Sequence, residues 1–535
     1  MKQLLRGVLL WLFICCSITT IAQTTVPIDS SKRIIIISGN SSRFITLDDS
    51  TSLRTLAGNA KVKQGNTILS GDSIVINSRT QIAEVFGNVH INDADTVNTY
   101  ANYLRYLGKE RVAYLKNNVK LTDGKGTLVT NDLEYNLESG IATYKNGGKV
   151  INGTSVLTSS DAVYYSDTKD VYFKKAVRLT DPKYNIASDS LMYNTAFKTA
   201  TLIAPTLIKT SEGKTIKSKN GTYNLQTGEA RFYDRTLISD STSSTIADNM
   251  YLDEKTGVYV LEGRAKYVDS TNHSIVIANK IEVNKKENSF LATQKPVVVI
   301  AKEKDSTYIA ADTLFSGLRK NDSISKKMYT KVDTISNKQI YTKTPQDSIR
   351  YVLGYKNVRI YNDSAQAVSD SMYYSTEDSV FRMFKSPVFW KDKSQVSGDT
   401  MYLFTENQQP KRLYVFNNSI VINQQNPAIY NQAGGRTLNA YFIKGEIDYT
   451  RIKGSPAETI FYPQDNDSAY IGMNLSSGDL VDVYFAKQAV QKIKFVNEVN
   501  GVLYPIKQIP ADKKYLKNFN WQDARRPKTK LSLFE

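Results

Sequence analysis

A polar residue, an apolar residue two places on and an apolar or aromatic residue four places on recur along this chain at a nearly fixed interval. Asp72 leads Ile74 and Ile76, Asn102 leads Leu104 and Tyr106, Asn131 leads Leu133 and Tyr135, Asp161 leads Val163 and Tyr165, and Asp189 leads Leu191 and Tyr193. The steps between these leaders are 30, 29, 30 and 28 residues. A degenerate unit follows around Lys219 and Tyr223. The pattern then returns at Asp248 with Met250 and Leu252, at Asn279 with Ile281 and Val283, and at Asp312, Asp370 and Asp399. A second mark travels with it: "AGNAKVKQGN" from Ala57 and "FGNVHINDAD" from Phe86 share a Gly-Asn, 29 residues apart. A period near 30 over most of a chain signals a stacked array rather than a string of unrelated domains.

Each unit holds two turn sites about half a period apart. One set reads "NSRTQ", "NLESG", "LQTGE" and "DEKTG"; the other reads "KQGN", "TDGKG", "TDPK" and "SEGK". Between turns run roughly ten residues of period-two alternation rich in Val, Ile, Thr and Tyr, which is strand chemistry. Each unit is therefore two antiparallel strands. The residues two and four places after the leader share one face, and stacked units make a continuous apolar stripe. One sheet would leave that stripe wet, so it must fold over itself. The expected fold is all-β: an elongated antiparallel β-jelly roll, or solenoid-like trough, built from ~30-residue repeats.

The first residues bear on the compartment. "MKQLLRGVLLWLFICCSITTIAQ" has Lys2 and Arg6, an apolar run to Cys16 and small residues after it, and reads as a signal peptide over 1–22. Both cysteines, Cys15 and Cys16, fall inside it, so no disulfide staples the rest; a lipid anchor at one of them is the alternative. The formal charge of +17 becomes 67 − 52 = +15 without Lys2 and Arg6. In an exported chain this points to anionic headgroups, phosphates or acidic glycans, or to solubility alone, and not to nucleic acid. The divisions expected are the repeats at 23–316, a Lys-rich insertion or loop at 317–350, further repeats degenerating over 351–500, and a basic tail at 501–535.

Catalytic and metal chemistry is hard to find. His90 and His273 each stand alone on an expected strand, with no ligand or base partner nearby in sequence. The recurring Asp residues read as turn caps or partners of nearby backbone. With no phosphate loop, nucleophile elbow or Cys/His cluster, the chain reads as a non-enzyme without a cofactor.

At this point the residues resemble a known family. "ADNMYLDEKTGVYVLEGRAKY" (247–267) and "TNDLEYNLESGIATYKNGGKV" (130–150) are similar to the OstA-like repeat, named for organic solvent tolerance. The resemblance spans about residues 50–316 and, more weakly, 351–425. It implies a jelly-roll trough that carries the acyl chains of lipopolysaccharide or a related outer-membrane glycolipid in the periplasm. It also implies pairing of end strands with other OstA-like domains. The bridge proteins of that family are much shorter, and its outer-membrane translocon continues into a large barrel for which little chain remains here after residue 425.

On this reading the trough is lined by Ile74, Ile76, Leu104, Tyr106, Leu133, Tyr135, Val163, Tyr165, Leu191, Tyr193, Met250, Leu252, Ile281 and Val283. The apolar segment Ile34, Ile35, Ile36 and Ile37 is an edge strand that either docks a partner sheet or pairs with the first repeat. The tail, with Lys513, Lys514, Lys517, Trp521, Arg525 and Arg526, is either a solvated tail or a contact for lipid phosphates or an acidic partner. Two other readings stay open: an extracytoplasmic structural solenoid or adhesin without lipid, and an outer-membrane β-barrel.

Overall fold

The computed structural model describes residues 33–49, 51–301, 306–320, 331–332, 339–340, 348–406, 409–465, 468–486 and 489–534. The signal-peptide segment lies outside these residues. So does most of the Lys-rich stretch, of which Lys331–Val332 and Gln339–Ile340 pair as a short hairpin. Two units are described separately: Met1–Leu179 with Asn194–Ala196, and Thr180–Tyr193 with Phe197–Glu535.

The first unit opens with β1 (Ile35–Ser38), β2 (Ser41–Asp48), β3 (Thr51–Gln64), β4 (Thr67–Asn77), β5 (Ile82–Asp93), β6 (Val97–Leu107), β7 (Val112–Thr122) and β8 (Thr127–Asn136). From β3 onward each strand pairs antiparallel with the next, as a meander should. In every one of these pairs the register slips near the middle, for example between Ala57 and Ala60 in β3 and between Ser70 and Ser73 in β4. The strands bend there, and each half of a strand belongs to one half of a folded sheet.

The Gly-Asn mark makes this bend. Gly58/Asn59, Gly87/Asn88 and Asn117/Asn118 are pairs of consecutive residues with φ between +47° and +73°. Left-handed backbone is open to Gly and tolerated by Asn, which suits the mark to the corner. The second unit repeats the device at Gly263/Arg264, Lys356/Asn357 and Asn417/Asn418. On the neighbouring strand the corner position is the recurring aspartate. Asn88 Nδ2 donates to both Asp72 carboxylate oxygens at 3.1 Å, Asn357 does the same to Asp312 at 3.0 Å, and Arg264 clamps Asp248 at 2.7 and 2.9 Å. Lys175 pairs with Asp161 at 2.8 Å. These aspartates were expected to cap turns or bond to nearby backbone; instead they clasp a side chain of the next strand across the corner. The turns are made by other residues. Asn77, Asn136, Asn224, Asp253 and Asn284 each accept two backbone N–H bonds from the residues just after them.

The bend also changes which residues point inward. Along β4 the buried residues are Thr67 and Leu69 before the corner but Ile74 and Ile76 after it, so odd positions give way to even ones. A strand with strict alternation would turn one half outward; the corner residues absorb the shift. This explains the one misplaced pair in the stripe. Two polar residues stand at each corner, and Asn131 and Asp189 are the first of their pair, but Asp161 is the second. Counting two and four places from Asp161 therefore lands on the wrong face. Val163 is only half-buried and Tyr165 is 38% exposed, whereas Ala162 and Tyr164 are buried.

The segment around Ile34–Ile37 pairs with the first repeat: β1 runs antiparallel to β3, with Ile35 opposite Lys63 and Ile36 opposite Val62. Ile34 packs on Gly108, while Ile35 and Ile37 face solvent. Continuing past a corner, β2 pairs with β3 as well, and all its residues are exposed.

The corner leaves no room for extra atoms. A Cβ on Gly71 would stand 2.3 Å from Val85 Cγ1 and 3.0 Å from the Gly87 carbonyl oxygen. The Gly71→Ala substitution should cost about 1–3 kcal/mol, the usual penalty of overpacking a tight interior. Urea unfolding read by circular dichroism checks this, and a midpoint equal to that of the unmodified protein would contradict it.

Candidate functional site

The stripe is the interior. Ile74, Leu104, Tyr106, Tyr193, Leu191, Leu252 and Ile281 are fully enclosed, and Ile76, Leu133, Tyr135, Met250 and Val283 are buried nearly as deeply. In the first unit the two halves of the bent sheet close tightly around Tyr164. The cavity between Leu121, Leu128, Val150, Tyr164 and Val171 is about 10 Å³, at or below the room one water needs.

The corner joins the sheet halves by continuous backbone pairing. The opposite side, where the two sets of turns face each other, is the mouth. There the halves are joined by side chains. Tyr106 donates to Gln64 Oε1 at 2.6 Å, and Gln64 Nε2 donates to the Gly108 carbonyl at 2.7 Å. Tyr135 donates to Asp93 at 2.9 Å. Tyr164 donates to Asp123, which Lys169 also approaches at 3.4 Å. Asn152 Nδ2 donates to the Thr195 carbonyl at 2.6 Å. In the second unit Lys214 pairs with Glu254 at 2.6 Å, Tyr223 donates to the same carboxylate at 3.1 Å, and Lys285 pairs with Asp240. Most of these rungs tie residues of the second turn set to residues 40–45 positions later, about one and a half repeats. The tyrosine of the repeat thus has two jobs: its ring fills the interior and its hydroxyl latches the mouth.

The electrostatics suit a latch. Burial pushes the Tyr106 hydroxyl up to about 12 and raises Tyr135, Tyr164 and Tyr223 as well, so all four are neutral donors at neutral pH. Burial alone would raise the Asp123 carboxyl. The Tyr164 hydroxyl, the backbone N–H groups of Gly126 and Lys125 and the Lys169 ammonium outweigh it and hold the carboxyl below its usual range. Asp240 is likewise held low against burial, chiefly by Lys285 and by the Thr242 backbone and hydroxyl.

Later in the second unit the mouth is filled differently. The basic tail, read as either solvated or a contact for lipid phosphates or an acidic partner, packs back onto one sheet half beside the mouth turns. Leu516 is buried among Ile420, Ile422, Ile460, Tyr462 and Met473, with Phe519 and Trp521 against Tyr430. Leu533 is buried against Val297, Val299 and Ala310. The lysines Lys513, Lys514 and Lys517 remain exposed. Sequence reasoning weighed the tail's charges; the regularly placed apolar residues among them were the missed signal.

The two histidines do not meet. His90 bonds to Asn98 at 2.9 Å and stacks on Tyr100 at 4.6 Å, and His273 lies in the turn before Ser274 rather than on a strand. Among the described residues no three His, Cys, Asp or Glu side chains gather as a metal site.

The latch carboxyls Asp123 and Asp240 titrate lower in the folded chain than in the unfolded one. Their contribution to stability is complete above the unfolded carboxylate value of about 3.9 and is lost as pH falls through the folded values. The thermal midpoint should drop as pH is lowered from about 5 to 3. The drop should be shallower in an Asp123→Asn/Asp240→Asn variant, which calorimetry across that range measures; parallel curves would contradict the assignment.

No curated protein sequence matches this chain. Among solved structures, LptH of Pseudomonas aeruginosa is similar at 18% identity, over 22% of this chain and 84% of that one, with a TM-score of 0.19. It is described as the LptA-homologous periplasmic component of the conserved lipopolysaccharide transport device. Residues 31–189 match the model of a family described as OstA-like protein, and this span holds the first strand, the corner marks and the first mouth latches.

Proposed function

We propose that this protein is a non-enzymatic periplasmic bridging protein of lipopolysaccharide transport to the outer membrane, which holds acyl chains between its two sheet halves. One observation carries the reading. The apolar interior runs from repeat to repeat, and on the mouth side it is shut by side chains rather than by backbone pairing. A neutral hydrogen bond contributes about 0.5–1.5 kcal/mol net and one to a carboxylate about 1.5–3 kcal/mol, whereas each buried methylene contributes about 0.8 kcal/mol. A 14-carbon chain entering the interior would gain roughly 10 kcal/mol, enough to offset several rungs. The corner, held by ladder bonds and by its aspartate clasps, acts as the hinge. The OstA-like family match supports the cargo class, and the relation to a periplasmic lipopolysaccharide-transport component agrees with it in compartment.

The exposed edge of β2, with Phe44 and Leu47 on it, supports strand pairing with another OstA-like domain. The filled interior favours a second reading, a structural solenoid that carries no lipid.

In-cell photocrosslinking separates the two. A photoreactive residue replaces Leu104, Leu133, Leu191 or Ile281 on the inner face, with Lys61, Lys120 and Tyr165 as outward controls. Adducts of lipopolysaccharide size at the inner sites and none at the controls are expected. Silence at all four inner sites in a folded protein would leave the solenoid reading.

A further inference from the structure

The carboxy-terminal segment closes the later repeats in an unusual way. It does not join the sheet; it crosses the mouth as three short 3₁₀ turns, Ala511–Lys513, Asp523–Arg525 and Lys530–Leu533, joined by extended pieces. Three buried glutamines, each standing just after a turn of the mouth, hold it. Gln432 Nε2 donates to the Lys514 carbonyl at 2.9 Å while its Oε1 accepts from the Leu516 N–H at 2.9 Å. Gln395 repeats the arrangement, donating to the Asn520 carbonyl at 2.6 Å and accepting from the Gln522 N–H at 2.7 Å. Gln366 Oε1 accepts from Arg526 Nε at 2.7 Å. Two side-chain amides thus read the backbone of the segment in one pattern, a carbonyl and the N–H two residues on. Arg359 then donates to the Ser532 and Leu533 carbonyls at 2.8 and 3.2 Å.

Between these anchors the apolar side chains Leu516, Trp521 and Leu533 enter the interior, and the lysines stay outside. On the corner side a cleft of about 850 Å³ opens where Leu516 and Lys517 pass Phe416, Gly434 and Gly435. The segment therefore lies along one half of the bent sheet, anchored just after its mouth turns, as a separate strip of chain that can leave without bending a strand. A strip held by side-chain contacts and a few apolar anchors belongs to the low-stability end of a fold.

We infer that residues 511–534 are a detachable strap over the later part of the apolar interior, and that a single-chain or multi-chain anionic amphiphile loads there only by displacing it. This rests on the lipid-carrying reading above. Strap and acyl chain compete for one groove, so the strap keeps the later repeats shut until cargo arrives. Loosening the strap raises apparent affinity by removing a closed population.

The full chain and its Gln395→Ala/Gln432→Ala variant are each titrated with 1-myristoyl lysophosphatidylglycerol below its micellar concentration, with glycerophosphoglycerol as the headgroup-only arm. Hydrogen exchange of the strap amides is followed against that of the strand Gln409–Asn426. The lysolipid should speed exchange at Leu516 and Gln522 at least about tenfold and leave the strand protected, and the variant should bind it about tenfold more tightly. Lysolipid binding with equal affinity in both proteins and an undisturbed strap would overturn the strap inference and leave the lipid reading standing. Release of the strap by glycerophosphoglycerol would also overturn it, because displacement would then come from charge and not from the groove. Failure of both folded proteins to bind the lysolipid would sink the lipid reading and the strap inference with it.

Discussion

Side-chain alternation is the constraint on which this fold depends. A strand that runs through two halves of a bent sheet must bury residues in both, yet period-two geometry keeps one set of positions on one face for as long as the strand is regular. The chain resolves this by breaking regularity once per strand. Two left-handed residues on one strand and two polar residues on its neighbour absorb the shift, and the inward positions change from odd to even. The Asp72–Asn88, Asp248–Arg264 and Asp312–Asn357 contacts hold the break in register. Without them the bend could migrate, and each migration by one residue would expose a half-strand of apolar side chains.

The same break decided what could be read in the sequence. Period, turn positions and most of the stripe follow from local rules, because Asn77 or Asp253 folds its own turn and Leu104 or Ile281 lies a fixed distance from its own corner. Where two polar residues share the corner, the count becomes ambiguous by one, and Val163 and Tyr165 were assigned to the face that Ala162 and Tyr164 hold. The mouth was not legible for a different reason. Tyr135 finds Asp93 and Lys214 finds Glu254 at separations of 42 and 40 residues, which neither strand nor turn rules address. A search for polar residues at one and a half periods from each stripe tyrosine would have found Gln64 and Asp93.

The tail was misjudged through its charge. A basic segment is usually solvated, yet its lysines need only their heads in water, and the chain between them presents Leu516, Trp521 and Leu533 to the interior. Gln366, Gln395 and Gln432 give no sign in a sequence of what they bond, because an amide that reads backbone is indifferent to the side chains of its partner.

Corner and mouth therefore differ in kind, and the difference bears on what the interior can do. Opening the corner would tear backbone bonds from every strand in turn, whereas opening the mouth breaks one or two side-chain contacts per repeat. Each of these is worth about 0.5–1.5 kcal/mol when neutral and about 1.5–3 kcal/mol when a charged group takes part. Charged rungs such as Lys214–Glu254, Lys285–Asp240 and Tyr135–Asp93 are the stiffer ones, and the neutral rung from Tyr106 to Gln64 is the weaker. A closed interior is then no argument against cargo: apolar surface left open to water would cost about 25 cal/mol per Å². An apolar interior of this length has to be filled or shut, and the mouth rungs and the packed carboxy-terminal segment shut this one.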